Sequence, residues 1–407
     1  MAFLLDDLCF AVYDMPMSAY QVSISKNTDA PAAVREAMNL LGGMARFVSP
    51  GERVLIKPNG LFQTYRLGAV AAPAVVAEVA RLVLEAGGRP VVGENDLVYN
   101  PESPKFDTSV GKRYYEALAV IGLAEAVPLV DLTAGEMTEV DFPDGKVITR
   151  SKISPHVLSA DKIIDVPILK THDQTQVSLG IKNLKGVLPV SERIRYHETN
   201  LEQAIVDLCG FVKPHLTLID GTTAGEGLGP AECTPVQMDL VIAGANPLAT
   251  DIVGAAVMGF EVRQIKFLKY AVAAGLGPQS LDEVEVLGLP IASVARRFET
   301  AEEVACRQYA EMGVEVISQN VCSGCWAEFR HIYYSLGADR ARLAGVTFAL
   351  GRLEELPERE KAVIIGNCAK AVADRGHFVP GCPPHHFQID AAARKVSGLG
   401  GEPKKLG

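Results

Sequence analysis

Residues 53–96, RVLIKPNGLFQTYRLGAVAAPAVVAEVARLVLEAGGRPVVGEND, decide the fold. The opening RVLIKPNG reads as an apolar strand running into a polar loop. PAVVAEVARLVLEAGG repeats its apolar residues at helical spacing and stops at Gly87 and Gly88, and RPVVGEND is a second strand. Strand, helix and strand in this order make a βαβ unit, whose two strands lie parallel under the crossing helix.

The same grammar extends outward. YQVSISKN predicts a strand and DAPAAVREAMNLLGGMARF a helix, with Asp29 at its cap and Pro31 in its first turn. Downstream come VPLVDLT, the β-rich TEVDFPDGKVITRSKIS, DKIIDVPILKTH, a helical NLEQAIVDLCGFVKP, the strand HLTLIDGT and a helix from NPLATDIVGAAVMGF. The expectation is an α/β fold: a mostly parallel sheet covered by helices, followed by a smaller α/β cysteine-ligated domain. We set the two units at residues 1–285 and 286–407.

Composition narrows the function. The chain has 407 residues, 48% of them hydrophobic, which suffices for two or three packed cores. A net charge of −10 without any basic run excludes a nucleic-acid binder, which needs lysine and arginine gathered on one face. Asp6 and Asp7 stand where a signal peptide carries basic residues, and no apolar run is long enough to span a membrane. A cytoplasmic protein without a membrane partner is expected. In that reducing compartment, eight cysteines point to a metal or redox centre rather than to disulfides.

In open α/β sheets, sites form beyond the carboxyl ends of the strands. Polar residues stand at five such ends: Lys57 and Asn59; Glu94, Asn95 and Asp96; Lys170 and His172; Asp220; and Asn246 with Asp251. SLGIKNLKGVLP adds Lys182, Asn183 and Lys185. Any one of them alone reads as a solvated loop residue or a helix cap; the set carries the expectation of a site for an anionic small molecule. Lys57, Asn59, Lys182, Asn183 and Asp220 are expected to bind it, with His172, Glu94 and Lys170 as the catalytic group. The carboxylates could also hold a divalent ion. DGTTAGEGLGP has neither the GxGxxG nor the GK[ST] pattern, so its glycines are expected to serve a tight turn.

The succession VLIKPNG, GEND, ILKTHDQTQVSLGIKNLKGV, LIDGTTAGEGLGP and GANPLATDIVGAAVMG, over about residues 20–260, resembles the family called domain of unknown function 362. Members of that family are often described as iron–sulfur proteins, which implies a cluster but no agreed reaction. Residues 57–96 are also similar in layout to the N-terminal half of nickel-dependent lactate racemases.

The C-terminal part changes character. NVCSGCWAEF supplies Cys322 and Cys325, and IIGNCAKAVADRGHFVPGCPPHH supplies Cys368 and Cys382. Zinc sites usually pair two Cys-x-x-Cys knuckles, whereas here one pair is followed by single cysteines 43 and 14 residues further on. Pro383 and Pro384 stiffen the loop after Cys382, as in ferredoxin Cys-Pro motifs, and Gly-Cys-Pro-Pro is similar to a ligand segment of complex I and hydrogenase subunits. The expected cofactor is a [4Fe–4S] cluster on these four thiolates, with Trp326 shielding it. The function that joins both halves is an oxidoreductase passing electrons from the cluster to an anionic substrate, served by a redox partner protein. A cluster-dependent lyase and a non-enzymatic cluster carrier are the alternatives.

Overall fold

The computed structural model describes residues 20–61, 64–97, 99, 108–321 and 323–400. Its strands are β1 (Gln21–Lys26), β2 (Arg53–Pro58), β3 (Arg89–Glu94), β4 (Leu129–Asp131), β5 (Thr138–Asp141), β6 (Arg150–Ile153), β7 (Lys162–Val166), β8 (Ile168–His172), β9 (Gln176–Ser178), β10 (Leu216–Leu228), β11 (Glu232–Gly244), β12 (Glu285–Gly288), β13 (Glu315–Gln319), β14 (Thr347–Gly351), β15 (Ala362–Ile365) and β16 (His377–Val379). The large sheet runs β12-β1-β11-β10-β7-β2-β3-β4, with β8 beside β10 and β9 beside β8. Its pairings are parallel except β1–β11, β10–β11 and β8–β9.

Alternation along the strands builds a core on each face. Val54 and Ile56 pack with Val75, Val79 and Val83 of the helix Pro73–Glu85, while Leu55 turns to the opposite core with Ile205, Leu208 and Ile252. Parallel strands covered on both faces therefore carry unbroken apolar runs, as VLI in β2 and II in β7 show.

The glycine-rich segment departs from the expected turn. It continues β10 to Leu228 and returns as the long antiparallel β11, with residues 229–231 between them. The glycines allow close approach instead: a Cβ on Gly229 would lie 1.9 Å from the Thr171 carbonyl oxygen.

The second sheet, β13-β14-β15-β16, is wholly parallel and has its own core around Phe329, Phe348, Val363 and Ile389. The change of unit expected at residue 285 runs through β12, which pairs with β1, and Phe298 still belongs to a core of the large sheet. The helix Ala301–Glu311 then packs Ala301 and Ala305 against Leu228 of β10. Among the described residues no helix is long and apolar enough to cross a membrane.

Candidate functional site

A cavity of about 740 Å³ opens beyond the carboxyl ends of β2, β3 and β8. It is lined by Lys57, Asn59, Glu94, Lys170, His172, Lys182 and Asn183, so seven of the eight residues expected in the main unit meet there. Asp220 does not. Its carboxylate accepts the Ala72 N–H (2.6 Å) at the start of the helix Pro73–Glu85 and the Thr222 N–H and hydroxyl (2.9 and 2.6 Å). Asn246 and Asp251 are likewise caps, accepting from the Ala249 N–H (2.9 Å) and from the Gly180 and Ile181 N–H groups (2.6 and 2.9 Å).

The floor of the cavity is a closed network. Lys57 Nζ donates to Glu94 Oε2 (2.8 Å), Asn183 Oδ1 (3.0 Å) and the Pro58 carbonyl (3.0 Å), which uses all three of its protons. Glu94 also accepts from the Gly60 and Asn95 N–H groups (3.0 and 2.8 Å). Asn183 donates to the buried Asp165 (2.8 Å), and Asn59 donates to Asn183 (3.0 Å) while accepting from Lys170 (3.3 Å). Gly186 completes the packing: a Cβ there would fall 2.5 Å from Lys57 Nζ and 2.6 Å from Glu94 Oε1. Lys57 and Glu94 thus hold each other, with no lysine donor left over for a ligand.

Above this floor the charges are less balanced. Lys170 Nζ donates to Asn59, to Ala69 O (2.6 Å) and to Pro230 O (3.0 Å); burial with no carboxylate partner brings its pKa down to about 7. Lys182 makes no hydrogen bond or ion pair among the described residues, and burial outweighs the pull of Asp173 to leave it at about 8. Lys185 touches His197 Nε2 and is pushed by burial and by Lys182 to about 6. Arg193, which the sequence did not single out, has no ion pair among the described residues, and its buried Nε is unbonded among them.

His172 faces two partners through Nδ1: the Gln174 N–H and Asp173 Oδ1, each at 3.0 Å. Burial, then Lys182, lowers the ring to about 4, so at neutral pH His172 carries a single ring proton, and Asp173 and Gln174 compete for the Nδ1 edge, one as an acceptor and the other as a donor. A neutral imidazole of this kind is a hydrogen-bond donor and a poor base. Asp173 stays ionised: burial opposes its charge, but His172 and Arg330 overcome this and hold it at about 2. Lys170, Lys182 and Lys185 all lie within about one unit of neutrality, and of the three Lys182 has no hydrogen-bond partner among the described residues.

Arg330 and His331 enter the same cavity from the helix Ser323–Ser335 of the second unit. Arg330 forms an ion pair with Asp173 (2.8 Å). Sequence reasoning missed both residues, because nothing in the spacing of Cys-x-x-Cys says which body its helix will face.

Of the four expected ligands, Cys322 lies outside the described residues. Cys325 is buried, and Cys368 and Cys382 are exposed. Their loops meet at the carboxyl ends of β15 and β16, where Asn367 N–H donates to Gly381 O (2.9 Å) and Gly381 N–H to Asn367 Oδ1 (3.0 Å). Cys325 Sγ adjoins the same place, 3.0 Å from where a Gly366 Cβ would stand. Cys325 lies in the first turn of the helix Ser323–Ser335, Cys368 in the helical turn Asn367–Arg375 and Cys382 in a loop, with glycines of positive φ (Gly366 +86°, Gly381 +150°) beside the latter two, and such small residues leave room for a sulfur-ligated group. Glu328, His385 and His386 do gather within 4.8 Å and could hold a metal ion. Trp326 stacks on Phe329 at 5.4 Å and belongs to the core of the second unit.

The family described as a domain of unknown function (DUF362) matches residues 54–256. A thylakoid-associated protein of Synechocystis sp. is 30% identical over 259 residues, which are 62% of this chain and 77% of the relative. The chain belongs to the DUF362 family. The lactate racemase apoprotein structure from Thermoanaerobacterium thermosaccharolyticum aligns over 94% of this chain and 92% of that one, at 12% identity and a TM-score of 0.37, a likeness too slight to carry an argument. Within this DUF362 member the matched residues hold the floor network, Lys170, His172 and Lys182; Arg330, His331 and the cysteine loops lie beyond them.

Proposed function

We propose that this protein is an iron–sulfur oxidoreductase that delivers electrons to an anionic small molecule in the cavity. The helix Ser323–Ser335 carries the proposal: it holds Cys325 in its first turn and sets Arg330 and His331 in the cavity wall. Arg330 stands five positions after Cys325, roughly 7.5 Å along a helix axis. A [4Fe–4S] cluster on Cys322, Cys325, Cys368 and Cys382 would supply single electrons when bound.

The chain's own residues do the rest. Lys182 and Arg193 attract the anion, Lys182 gives the proton that accompanies reduction, and His172 lines the site as a neutral imidazole. The Arg330–Asp173 pair fixes the helix against the loop after β8. A redox partner protein would approach the exposed Cys368 and Cys382 loops, in a reducing, cytoplasmic setting where the thiols stay reduced.

The test is anaerobic purification, iron and sulfide assay, and EPR before and after dithionite. About four irons per chain with a reducible signal, lost in Cys382→Ser, are expected. Gly366→Ala is expected to lower the iron content while leaving the fold intact, since its Cβ would crowd Cys325 Sγ. One zinc, or no metal, in the anaerobic protein would refute the proposal.

A further inference from the structure

The helix Val190–His197 has two faces with different work. Its back is tied to β6: Ser151 Oγ donates to Glu192 Oε2 (2.6 Å), Tyr196 Oη to Ser151 Oγ (3.4 Å) and Arg195 Nη2 to the Arg150 carbonyl (2.7 Å). The front carries Val190 and Ile194 one turn apart, and Arg193 and His197 beside them; all four line the cavity. Val190 and Ile194 are 51% and 54% exposed, among the most exposed large apolar side chains described. Across from them Leu61 and Leu228 add apolar wall, while Lys182 lies unbonded on the polar side.

A small inorganic anion needs only the cations, and an apolar molecule needs only the other wall. We propose that the cavity takes an amphipathic organic anion, a carboxylate or phosphate on an apolar body, with its head on Lys182 and Arg193 and its body against Val190 and Ile194. Charge complementarity selects this occupant. Among the described residues Lys182 and Arg193 have no carboxylate in ion-pair reach, and both side chains line the cavity, where an ammonium and a guanidinium suit a planar or tetrahedral oxyanion. The apolar pair on the same helix excludes water from the body of the ligand. This assigns the substrate class of the site proposed above and rests on its being a substrate site, though not on the redox chemistry.

The experiment is calorimetric titration of the full-length, anaerobically purified protein with octanoate, octyl phosphate, octan-1-ol, acetate and inorganic phosphate. Octanoate or octyl phosphate is expected to bind at least tenfold more tightly than acetate or phosphate and than the alcohol, and which of the two is tighter identifies the head group. Between butanoate and octanoate, each methylene is expected to tighten binding roughly fourfold. Arg193→Ala and Lys182→Ala should each weaken the octyl anions at least tenfold. Ile194→Ser, at an exposed position, should weaken them while leaving acetate unchanged.

Equal affinity for long and short anions, or for octanol and octanoate, overturns the proposal. So does a lower molar mass of Ile194→Ser in light scattering, which would make this face a contact between copies of the chain. Binding that persists in cluster-free Cys382→Ser would uphold the ligand class even if the redox reading failed; a reducible cluster without anion binding would do the reverse.

Discussion

Lys57 and Glu94 were read from the sequence as a ligand-binding cation and a proton carrier, yet they neutralise one another at 2.8 Å on the cavity floor. Removing either partner strands a buried charge, so Lys57→Met and Glu94→Gln are each expected to cost about 3–5 kcal/mol. The double variant is expected to cost much less than their sum, as a denaturant-unfolding cycle would measure. The other lysines set two opposite pH dependences. Lys170, Lys182 and Lys185 are all depressed from 10.5, to about 7, 8 and 6, so between pH 6 and 10 the unfolded chain holds more protons than the folded one. Stability, followed by urea unfolding, should therefore rise with pH across that window. Anion binding should instead weaken as pH rises through about 8, where Lys182 loses its charge, and Lys182→Arg should carry binding to higher pH.

The β10–β11 hairpin does at element scale what a turn could not. Its tip reaches over β8, so that the Pro230 carbonyl accepts from Lys170 and the Gly229 carbonyl from the Asp173 N–H (3.1 Å). Gly229→Ala would drive a Cβ into the Thr171 carbonyl, backbone against backbone, and is expected to destabilise the protein by ~3 kcal/mol. The same change should alter the pH window over which stability rises, because the acceptors around Lys170 move; an unchanged unfolding midpoint would count against this account. DGTTAGEGLGP was legible as a place needing glycines. That it continues as a strand follows from its pairing with residues 232–244, a partner no local window contains.

For the whole molecule, the Arg330–Asp173 pair is a charged link between the two sheets' units, with both side chains largely buried. Asp173→Ala leaves Arg330 unpaired and is expected to increase hydrogen exchange in the helix Ser323–Ser335, with β13–β16 less affected. If the proposed electron path runs along that helix, the same variant should slow substrate-dependent reoxidation of the reduced protein while leaving its iron content unchanged. Equal exchange in variant and parent would remove the pair from the path.

The sequence by itself determined the α/β class, the polar strand ends of which seven of the eight named candidates line the cavity, and the segments that bear the cysteines. Those follow from local rules: helical and strand periodicity, the polar ends of apolar strands, and the spacing of soft ligands. Tertiary structure alone decided which residues keep a job for a ligand. Lys57, Glu94 and Asn183 are 37 and 126 positions apart along the chain and satisfy one another, and Asp220 caps a helix. Lys182 and Arg193 are left over, and Arg330 joins them from the second unit. The physical reason is saturation: a side chain's chemistry depends on which of its donors and acceptors the fold has already used, and that count is fixed by contacts between distant segments.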